Sequence, residues 1–539
     1  MATTVPTADS IRRLARDWLG FDQLRPGQLE AINAAAAGHS VVAVLPTGAG
    51  KSAIYELAGL LRTGPIVVVS PLIALEDDQV GHLHDAGLSA TVVNSKLSRR
   101  ARAEALSTVG DDNEFVFVAP EQLTNPETRA ALMRVQPGLF VVDEAHLVSQ
   151  WGQDFRPDYL RLGAQADALG ADVRMALTAT AAPPVREEII KRLGLQEPKV
   201  VIGDFNRPEI SLSVHRVFSR DGKRRAIEQA ASDLKGSGIV YAATRAGAQE
   251  AKDVLAAAGH GVTLYHAGLP IAARRQAMES FLDGTTRIMT ATVAFGMGID
   301  KADVRWVVHA GPPGSIDAYY QEIGRAGRDR KPAQAQLLYH DADLVVVRHL
   351  AVRDGVSEST VADVAHRLAD GLGGNGIDQL AGAARSTRSL TLALARLVDI
   401  GAASWVADGG VRWNELMSVP SSLKASAEKS TREQEVQSSR LEMMRRYAEH
   451  TGCRRSFLLT YFGQNYPGPC GNCDNDLQRP ATPHWDEPFP IGARVATEHW
   501  GEGTIQRYDR DQVTILFDDH GYRDLLVSTL LEKSLRRPL

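Results

Sequence analysis

The stretch Asp143-Glu144-Ala145-His146 follows directly on the apolar run Leu139-Phe140-Val141-Val142. A short run of branched and aromatic residues of this kind predicts a strand buried in a parallel sheet. Two carboxylates at the end of such a strand can divide the work of phosphate chemistry, because Asp143 can hold Mg²⁺ while Glu144 orients a water for attack on a γ-phosphate. The stretch therefore predicts an α/β fold that hydrolyses ATP.

Immediately downstream lies a loop whose side chains suit single-stranded nucleic acid. Aromatic rings stack on bases, while amide and guanidinium groups contact bases and phosphates. The alternative is that the two aromatic residues belong to the protein core beneath the loop. The residues concerned are Gln150, Trp151, Phe155 and Arg156.

A glycine-rich stretch nearer the N-terminus predicts a phosphate site. The apolar run 41–45 leads into Thr47-Gly48-Ala49-Gly50-Lys51-Ser52. Backbone N–H groups of such a loop close around phosphates, Lys51 reaches the β and γ groups, and Ser52 can ligate Mg²⁺. Leu45 stands where the general pattern has its first glycine. The alternative, an accidental glycine-rich turn, is disfavoured because an acidic strand end follows at the expected place.

In their order and spacing these motifs resemble those of the RecQ family of DNA helicases, with a DEAH box at residues 143–146 and an aromatic-rich loop after it. Leu147-Val148 and Gln153 depart from the family's usual residues, so the details of base contact stay open. The resemblance runs from about Phe21 to Tyr339. It implies two RecA-like lobes, movement 3′ to 5′ on single-stranded DNA, and unwinding of forked or repair-intermediate DNA.

The same resemblance assigns roles to side chains that carry little information alone. Gln28 lies 23 residues before Lys51 and, with Arg25, matches the family motif that reads adenine through paired hydrogen bonds. An amide can both donate and accept, which suits the adenine edge. The motifs that couple strand contact to hydrolysis are matched at His146, Thr178 and Thr180.

Apolar runs resume beyond the connector and predict a second parallel α/β lobe that lacks a phosphate loop of its own. Near its end, residues 321–329 resemble the family's motif VI, which includes Gln321, Arg325 and Arg328. The spacing of the two arginines predicts that they share a helix face. The resemblance directs them at the phosphates, where such arginines contribute about 10³–10⁵ in rate in other NTPases. The alternative is a solvated helix face.

Between residues 356 and 418 the pattern becomes helical and then predicts a hairpin at Asp408-Gly409. This combination predicts a small winged helix. In the RecQ family the winged helix that splits duplex DNA follows the zinc module, whereas this segment precedes the cysteines. The sequence leaves two roles open for this domain: it binds duplex DNA, or it only packs against the rest of the protein.

The cysteines Cys453, Cys470 and Cys473 all fall within 21 residues, which favours metal binding over a disulfide framework. Zinc takes four ligands in a tetrahedron. The segment resembles the RecQ zinc module, in which Asp476 occupies the place of the fourth cysteine, and Asp474 is the weaker candidate. A degenerate remnant that binds no metal is the alternative.

The Pro-rich residues 479–490 predict a linker, and the short alternating runs beyond it predict a small SH3-like or Tudor-like barrel. The barrel resembles the Tudor-like domain of UvrD and PcrA helicases and, more loosely, the polymerase-binding domain of CarD-type proteins. The resemblance implies a protein-docking module, with RNA polymerase as a candidate partner, and the alternative is a stability cap. The linker would let the barrel dock independently. We expect removal of residues 484–539 to leave ATPase activity and unwinding nearly unchanged, because the motifs for nucleotide and the predicted DNA loop all lie before residue 330.

The composition of the chain argues against some classes of function. A net charge of −5 argues against a DNA binder whose affinity comes from charge alone. No run of about 18 apolar residues is present, so we expect no membrane contact and a cytoplasmic, nucleoid-associated protein. The predicted domains are RecA-like lobes at 1–207 and 208–348, a winged-helix-like domain at 356–418, a helical zinc-binding module at 421–480 and an SH3/Tudor-like barrel at 488–539.

The sequence as a whole predicts a DNA helicase of the RecQ family that uses ATP, Mg²⁺ and Zn²⁺ and acts on single-stranded and forked DNA. A translocase or remodeller that moves without separating strands is the alternative within the enzyme class. From another class comes a transcription-linked scaffold in which ATP only gates binding. The intact Glu144 disfavours the scaffold.

Overall fold

The structure is a computed structural model that describes residues 6–71, 73–94, 97–110, 114–149, 157–296, 301–353, 355–374, 377–380, 382–406, 410–478, 489–509, 512–526 and 530. The predicted DNA-contacting residues Gln150, Trp151, Phe155 and Arg156 lie outside these ranges, as does the predicted turn at Asp408-Gly409.

The first lobe is built on a parallel sheet in which the strands Val41–Val44, Ile66–Val69 and Leu139–Val142 consist of buried, mostly β-branched residues. The strands are β1 (Val41–Val44), β2 (Ile66–Val69), β3 (Ala90–Val93), β4 (Phe115–Val118), β5 (Leu139–Val142), β6 (Arg174–Thr178) and β7 (Lys199–Ile202). Their order in the sheet is β3-β4-β2-β5-β6-β1-β7, so β5, β6 and β1 are neighbours. The carboxyl ends of parallel neighbours meet at one edge of a sheet, which is where such folds bind ligands.

The helices of this lobe pack against that sheet. They are α1 (Ala8–Leu19), α2 (Gln28–Ala36), α3 (Lys51–Leu60), α4 (Ile73–Asp85), α5 (Arg99–Ser107), α6 (Pro126–Val135), α7 (Leu162–Ala168) and α8 (Pro183–Arg192), with 3₁₀ turns at Pro120–Thr124, Ala145–Val148 and Pro157–Arg161. The apolar side of α3, for example, joins one core cluster with β1, β2 and β5.

The second lobe repeats the parallel α/β design, with strand order β10-β11-β9-β12-β13-β8. Its strands are β8 (Ile210–Arg216), β9 (Ser237–Tyr241), β10 (Val262–Tyr265), β11 (Ile288–Ala291), β12 (Val304–His309) and β13 (Ala333–Tyr339). Its helices are α9 (Arg220–Asp233), α10 (Arg245–Ala257), α11 (Ile271–Leu282), α12 (Ile316–Ile323) and α13 (Asp341–Arg353).

One sequence-based expectation about this lobe is wrong. Helix α12 ends at Ile323, so Arg325 and Arg328 lie in the turns beyond it and do not share a helix face. Gly327, which lies between the two arginines, has a φ of +64°. Helical backbone cannot continue through such a residue.

The described residues between 356 and 418 contain the helices and the paired strands that the sequence predicts for a winged helix. Helices α14 (Glu358–Ala369) and α15 (Thr387–Asp399) flank a 3₁₀ turn at Ile377–Leu380, and an antiparallel hairpin of β14 (Ala403–Trp405) and β15 (Val411–Trp413) follows. Ser386 caps α15 by accepting a hydrogen bond from the Ser389 backbone N–H at 3.1 Å.

The chain divides into two compact units that do not follow sequence order. Met1–Asp204 and Gly355–Thr431 form one unit, while Phe205–Asp354 and Arg432–Leu539 form the other. The winged helix therefore belongs with the first lobe. The boundary falls inside the long helix α16 (Val419–Glu449).

The zinc module and the barrel belong to the second unit. Helices α17 (Arg454–Tyr461) and α18 (Asp474–Gln478) follow α16, and the barrel strands are β16 (Arg494–Thr497), β17 (Gly501–Asp509), β18 (Gln512–Phe517) and β19 (Gly521–Leu526), paired in antiparallel order.

The barrel packs on the zinc module of the same unit, and its predicted independent docking stays a prediction. The guanidinium of Arg507 lies 4.1 Å from the ring centroid of Phe457, and Arg446 pairs with Asp524.

Among the helices in the described ranges, none combines the length and the apolar character that a membrane crossing requires.

Candidate active site and metal centre

The phosphate loop connects β1 to α3. Gly48 and Gly50 adopt φ values of +79° and +70°, a conformation that favours glycine. The loop turns the chain so that Lys51 and Ser52 form the first turn of α3, where backbone N–H groups and the helix dipole attract anions. Thr47, Lys51 and Ser52 are half-buried, so a ligand can reach them.

The predicted adenine reader, Gln28, contacts this loop. Its side-chain nitrogen donates to the carbonyl oxygens of Ala49 at 3.0 Å and Gly50 at 2.7 Å, and its side-chain oxygen accepts from the Arg25 backbone N–H at 2.7 Å. The Gln28 side chain is buried, with 3% exposure. Here the amide holds the phosphate loop, and its reading of adenine stays a prediction.

The two acidic residues lie at the end of β5 in different environments. An oxygen of Asp143 accepts from the Glu144 backbone N–H at 2.9 Å. Burial, and next the charge of Glu144, raise the pKa of Asp143 to about 6, whereas the charge of Lys51 opposes the rise. Glu144 adopts a φ of +49°, which is uncommon outside glycine and marks a constrained backbone at the predicted water-orienting residue.

His146 connects Glu144 to the end of strand β6. Its Nδ1 lies 3.3 Å from a Glu144 carboxylate oxygen and 2.9 Å from the Thr178 hydroxyl. The Thr178 hydroxyl in turn donates to the Thr180 carbonyl oxygen at 3.0 Å and accepts from the Thr180 backbone N–H at 3.3 Å. Three of the coupling residues predicted from sequence, His146, Thr178 and Thr180, are therefore buried and connected, and His146 also contacts the Glu144 carboxylate.

In the second lobe, the motif VI turn is held by a residue that sequence reasoning missed. The guanidinium of Arg207 donates to the carbonyl oxygens of Gly324 at 3.2 Å, Ala326 at 2.9 Å and Gly327 at 3.2 Å. An arginine in the connector between the lobes offers little sequence signal for this role. Arg325 itself is only 4% exposed and interacts with Tyr241, while Gln321 and Arg328 are half-buried.

The four predicted zinc ligands lie together. The sulfur atoms of Cys453, Cys470 and Cys473 and a carboxylate oxygen of Asp476 are all within 4.8 Å of one another. Three thiolates and a carboxylate in such a cluster suit zinc. One Asp476 oxygen also accepts from the backbone N–H groups of Cys470 at 2.6 Å and Gly471 at 3.1 Å, which fixes the carboxylate toward the cluster.

Asp474, the weaker candidate, has another role. Its carboxylate pairs with the Arg454 guanidinium and accepts from the Val214 backbone N–H at 2.9 Å. These contacts join the module to strand β8, so Asp474 is a structural residue of the second unit.

Comparison with protein families agrees with this arrangement. Residues 25–189 match the DEAD/DEAH box helicase domain, residues 222–330 the helicase conserved C-terminal domain, and residues 412–477 the RecQ zinc-binding domain. Fold and site together therefore define an ATP-hydrolysing helicase of the DEAD/DEAH box class.

The chain belongs to the RecQ family of ATP-dependent DNA helicases. It is 33% identical over 459 residues to the probable ATP-dependent DNA helicase RecS of Bacillus subtilis, a match that covers 84% of this chain and 89% of RecS. It is also 33% identical to the ATP-dependent DNA helicase RecQ of Synechocystis over 494 residues, or 88% of this chain and 99% of that protein. With RecQ of Pasteurella multocida the identity is 31%, and the match covers 86% of this chain but 61% of the relative.

Solved structures support the fold alone. The structure of the Mycobacterium smegmatis helicase Lhr bound to single-stranded DNA and AMP-PNP is similar, with a TM-score of 0.51 at 20% identity over 79% of this chain and 61% of that one. The predicted family, the two parallel-sheet lobes, the zinc-binding region and the small C-terminal β domain are thus confirmed.

Proposed function

We propose that this chain couples ATP hydrolysis to 3′-to-5′ movement along single-stranded DNA and unwinds forked or repair-intermediate DNA. Lys51 and the glycine-rich loop bind the phosphates, and Glu144 orients the attacking water. Asp143 and Ser52 supply the hard oxygen ligands that suit Mg²⁺, which when bound neutralises phosphate charge. Arg325 and Arg328 stabilise the charge that develops during transfer, a role that rests on the motif they match.

The observation that carries this proposal is the position of His146. It contacts both the carboxylate of Glu144 and the hydroxyl of Thr178, so it joins the hydrolytic residue to a segment assigned to strand coupling. A helicase needs such a connection, because hydrolysis must respond to the strand. A change at Thr178 can reach Glu144 through one buried side chain.

The test is ATP hydrolysis measured with and without single-stranded DNA, alongside unwinding of duplexes that carry either a 3′ or a 5′ single-stranded tail. The proposal requires DNA-stimulated hydrolysis and unwinding of the 3′-tailed substrate. Stimulated hydrolysis and movement without strand separation would favour the translocase alternative. Hydrolysis that ignores DNA would contradict the proposal.

We also propose a protein partner for the barrel, with RNA polymerase as the candidate, and a cytoplasmic site of action on nucleoid DNA. Support comes from the resemblance of residues 488–539 to docking domains and from the half-buried Trp500, which lies beside His499 and under the Arg523 guanidinium at 4.9 Å. Purified RNA polymerase should bind the full chain and lose affinity for Trp500→Ala. Equal binding by both proteins would exclude this surface.

A further inference from the structure

The winged helix uses its outer helix face against the first lobe. In helix-turn-helix proteins the second helix lies in the DNA major groove, and α15 holds that position here. Its inner face packs in the domain's own core through Leu390, Leu394 and Leu397. Thr391 and Asp399 lie away from that inner face, eight residues apart along the helix. Both contact the first lobe.

The first of these contacts involves Arg161, the last residue of the 3₁₀ turn Pro157–Arg161. Its guanidinium donates to the Thr391 hydroxyl at 3.3 Å and lies 4.5 Å from the ring centroid of Trp405. Arg161 is 4% exposed. A desolvated guanidinium over an indole ring is a strong form of cation–π contact.

The second contact reaches the DEAH box through a series of side chains. The carboxylate of Asp399 accepts two hydrogen bonds from the Arg192 guanidinium, at 3.0 and 2.9 Å. Arg192 also donates to Glu188 at 2.6 Å, and Glu188 accepts from the Ser149 hydroxyl at 2.5 Å. Ser149 is fully buried and directly follows the 3₁₀ turn that holds His146.

These ion pairs are well shielded from water. The side chains of Arg192, Glu188 and Asp399 are 13%, 12% and 13% exposed. Lys429 of α16 approaches the same Asp399 carboxylate at 3.3 Å. Although burial opposes ionisation, the charges of Arg192 and Lys429 keep the pKa of Asp399 below its ordinary value. Bidentate pairing with Arg192 fixes the geometry of the carboxylate.

We propose that residues 355–431 act as an internal brace that positions Ser149 and Arg161 and thereby sets how strongly DNA stimulates ATP hydrolysis. Asp399, Arg192 and Glu188 are its positioning residues. The inference rests on the proposed function for its catalytic consequence. It also assigns the outer face of α15 to the first lobe instead of a major groove, which decides between the two roles left open by the sequence.

The first experiment uses the full chain with Asp399→Asn, which keeps size and removes charge. With single-stranded oligodeoxythymidylate, we expect the maximal stimulated rate to fall about fivefold, within the range typical of mutations that alter coupling. The unstimulated rate and the DNA concentration for half-maximal stimulation should change less than about twofold. Asp399→Glu should restore part of the stimulation, and Asp363→Asn, an exposed carboxylate of α14, is the matched control.

A double variant tests the series itself. If Asp399 acts through Glu188 on Ser149, the effects of Asp399→Asn and Ser149→Ala on stimulation should be less than additive. If DNA stimulates ATP hydrolysis equally in Asp399→Asn and the wild type, residues 355–431 only pack against the first lobe, and the proposal is overturned. A higher half-maximal DNA concentration at unchanged maximal rate would make the domain a DNA contact, which also overturns it.

Hydrogen–deuterium exchange gives a readout that does not depend on activity. In Asp399→Asn, peptides covering residues 145–149 and 157–161 should exchange faster, while a peptide covering residues 41–52 and the Asp363→Asn control should match the wild type. Unchanged exchange in the first two peptides would overturn the brace. Wild-type hydrolysis that ignores DNA would contradict the proposed function, while the exchange result would still decide the brace.

Discussion

The ring of Tyr522 in the barrel stacks on the ring of Tyr461 in α17, with centroids 5.4 Å apart and planes inclined by 27°. The Tyr461 hydroxyl donates to Asp317 at 2.5 Å, and Asp317 also accepts from the Arg440 guanidinium at 2.9 Å. Asp317 lies in the first turn of α12, the helix that carries Gln321. The barrel therefore covers a buried polar group attached to the helix that leads into motif VI.

From this contact we expect Tyr522→Ala to lower the free energy of unfolding of the second unit by about 3 kcal/mol, as for other large aromatic truncations. Tyr522→Phe keeps the stacked ring and is the control. DNA-stimulated hydrolysis should fall in Tyr522→Ala and in a chain ending at residue 488, contrary to the expectation from sequence. Thermal unfolding and hydrolysis rates check this, and a truncated chain with wild-type activity would restore the barrel as a separable module.

The phosphate site predicts a contrast between two substitutions. Lys51→Ala should abolish hydrolysis with the fold intact, because the ammonium is needed only when phosphate is bound. Glu144→Gln should keep nucleotide binding and stop turnover. Fluorescent-nucleotide binding and steady-state hydrolysis separate the two outcomes. Normal turnover by Glu144→Gln would show that another group orients the water.

The contact between His146 and Thr178 predicts a specific loss of coupling. Thr178→Val keeps the shape and removes the hydroxyl that bonds to His146, so DNA stimulation should fall by about tenfold, the scale of a lost buried hydrogen bond. Thr128→Val is the matched control, because Thr128 is buried in the same lobe and, among the described residues, its hydroxyl has no hydrogen-bond partner. The ratio of rates with and without DNA is the measurement. An equal effect of both substitutions would argue for general disruption of the lobe.

How far sequence reasoning reached depends on whether a feature is local. The phosphate loop, the acidic strand end and the cysteine cluster were predictable because each is encoded by neighbouring residues. The pair Arg192–Asp399 was not, since its partners are 207 positions apart and each is an ordinary surface charge in sequence. The end of α12 at Ile323 was missed for a different reason, because the glycines on either side of Arg325 were counted as motif and not as helix breakers.

The metal cluster predicts that two neighbouring aspartates behave differently. Asp476→Ala should lose zinc, and Asp476→Cys should bind it more tightly, because a thiolate suits zinc better than a carboxylate in a thiolate-rich site. Asp474→Ala should keep zinc but destabilise the second unit, because it leaves the buried Arg454 guanidinium without its carboxylate partner. Metal content per chain and thermal unfolding are the two measurements. Zinc-free protein that is fully folded would make the module a remnant.

Glu56, in the first lobe, predicts a pH dependence of stability. It lies in α3 with 2% exposure, and among the described residues one of its carboxylate oxygens has no hydrogen-bond partner. Burial raises its pKa from 4.5 to about 7. Because the folded-state pKa lies above the unfolded value, the folded state binds the extra proton between these limits. The contribution of Glu56 to stability is therefore fully present below about pH 4.5 and is lost as the pH rises through about 7.

Glu56→Gln mimics the protonated side chain and should remove this decline. At pH 8 the variant should be more stable than the wild type by at most about 3 kcal/mol, the free energy equivalent of such a pKa shift. The difference should shrink steadily toward pH 5. Glu104→Gln, an exposed carboxylate of α5, is the control and should show no such trend. Melting temperatures measured from pH 5 to 8.5 decide the matter, since parallel curves for the wild type and Glu56→Gln would mean that Glu56 is ionised in the folded protein throughout.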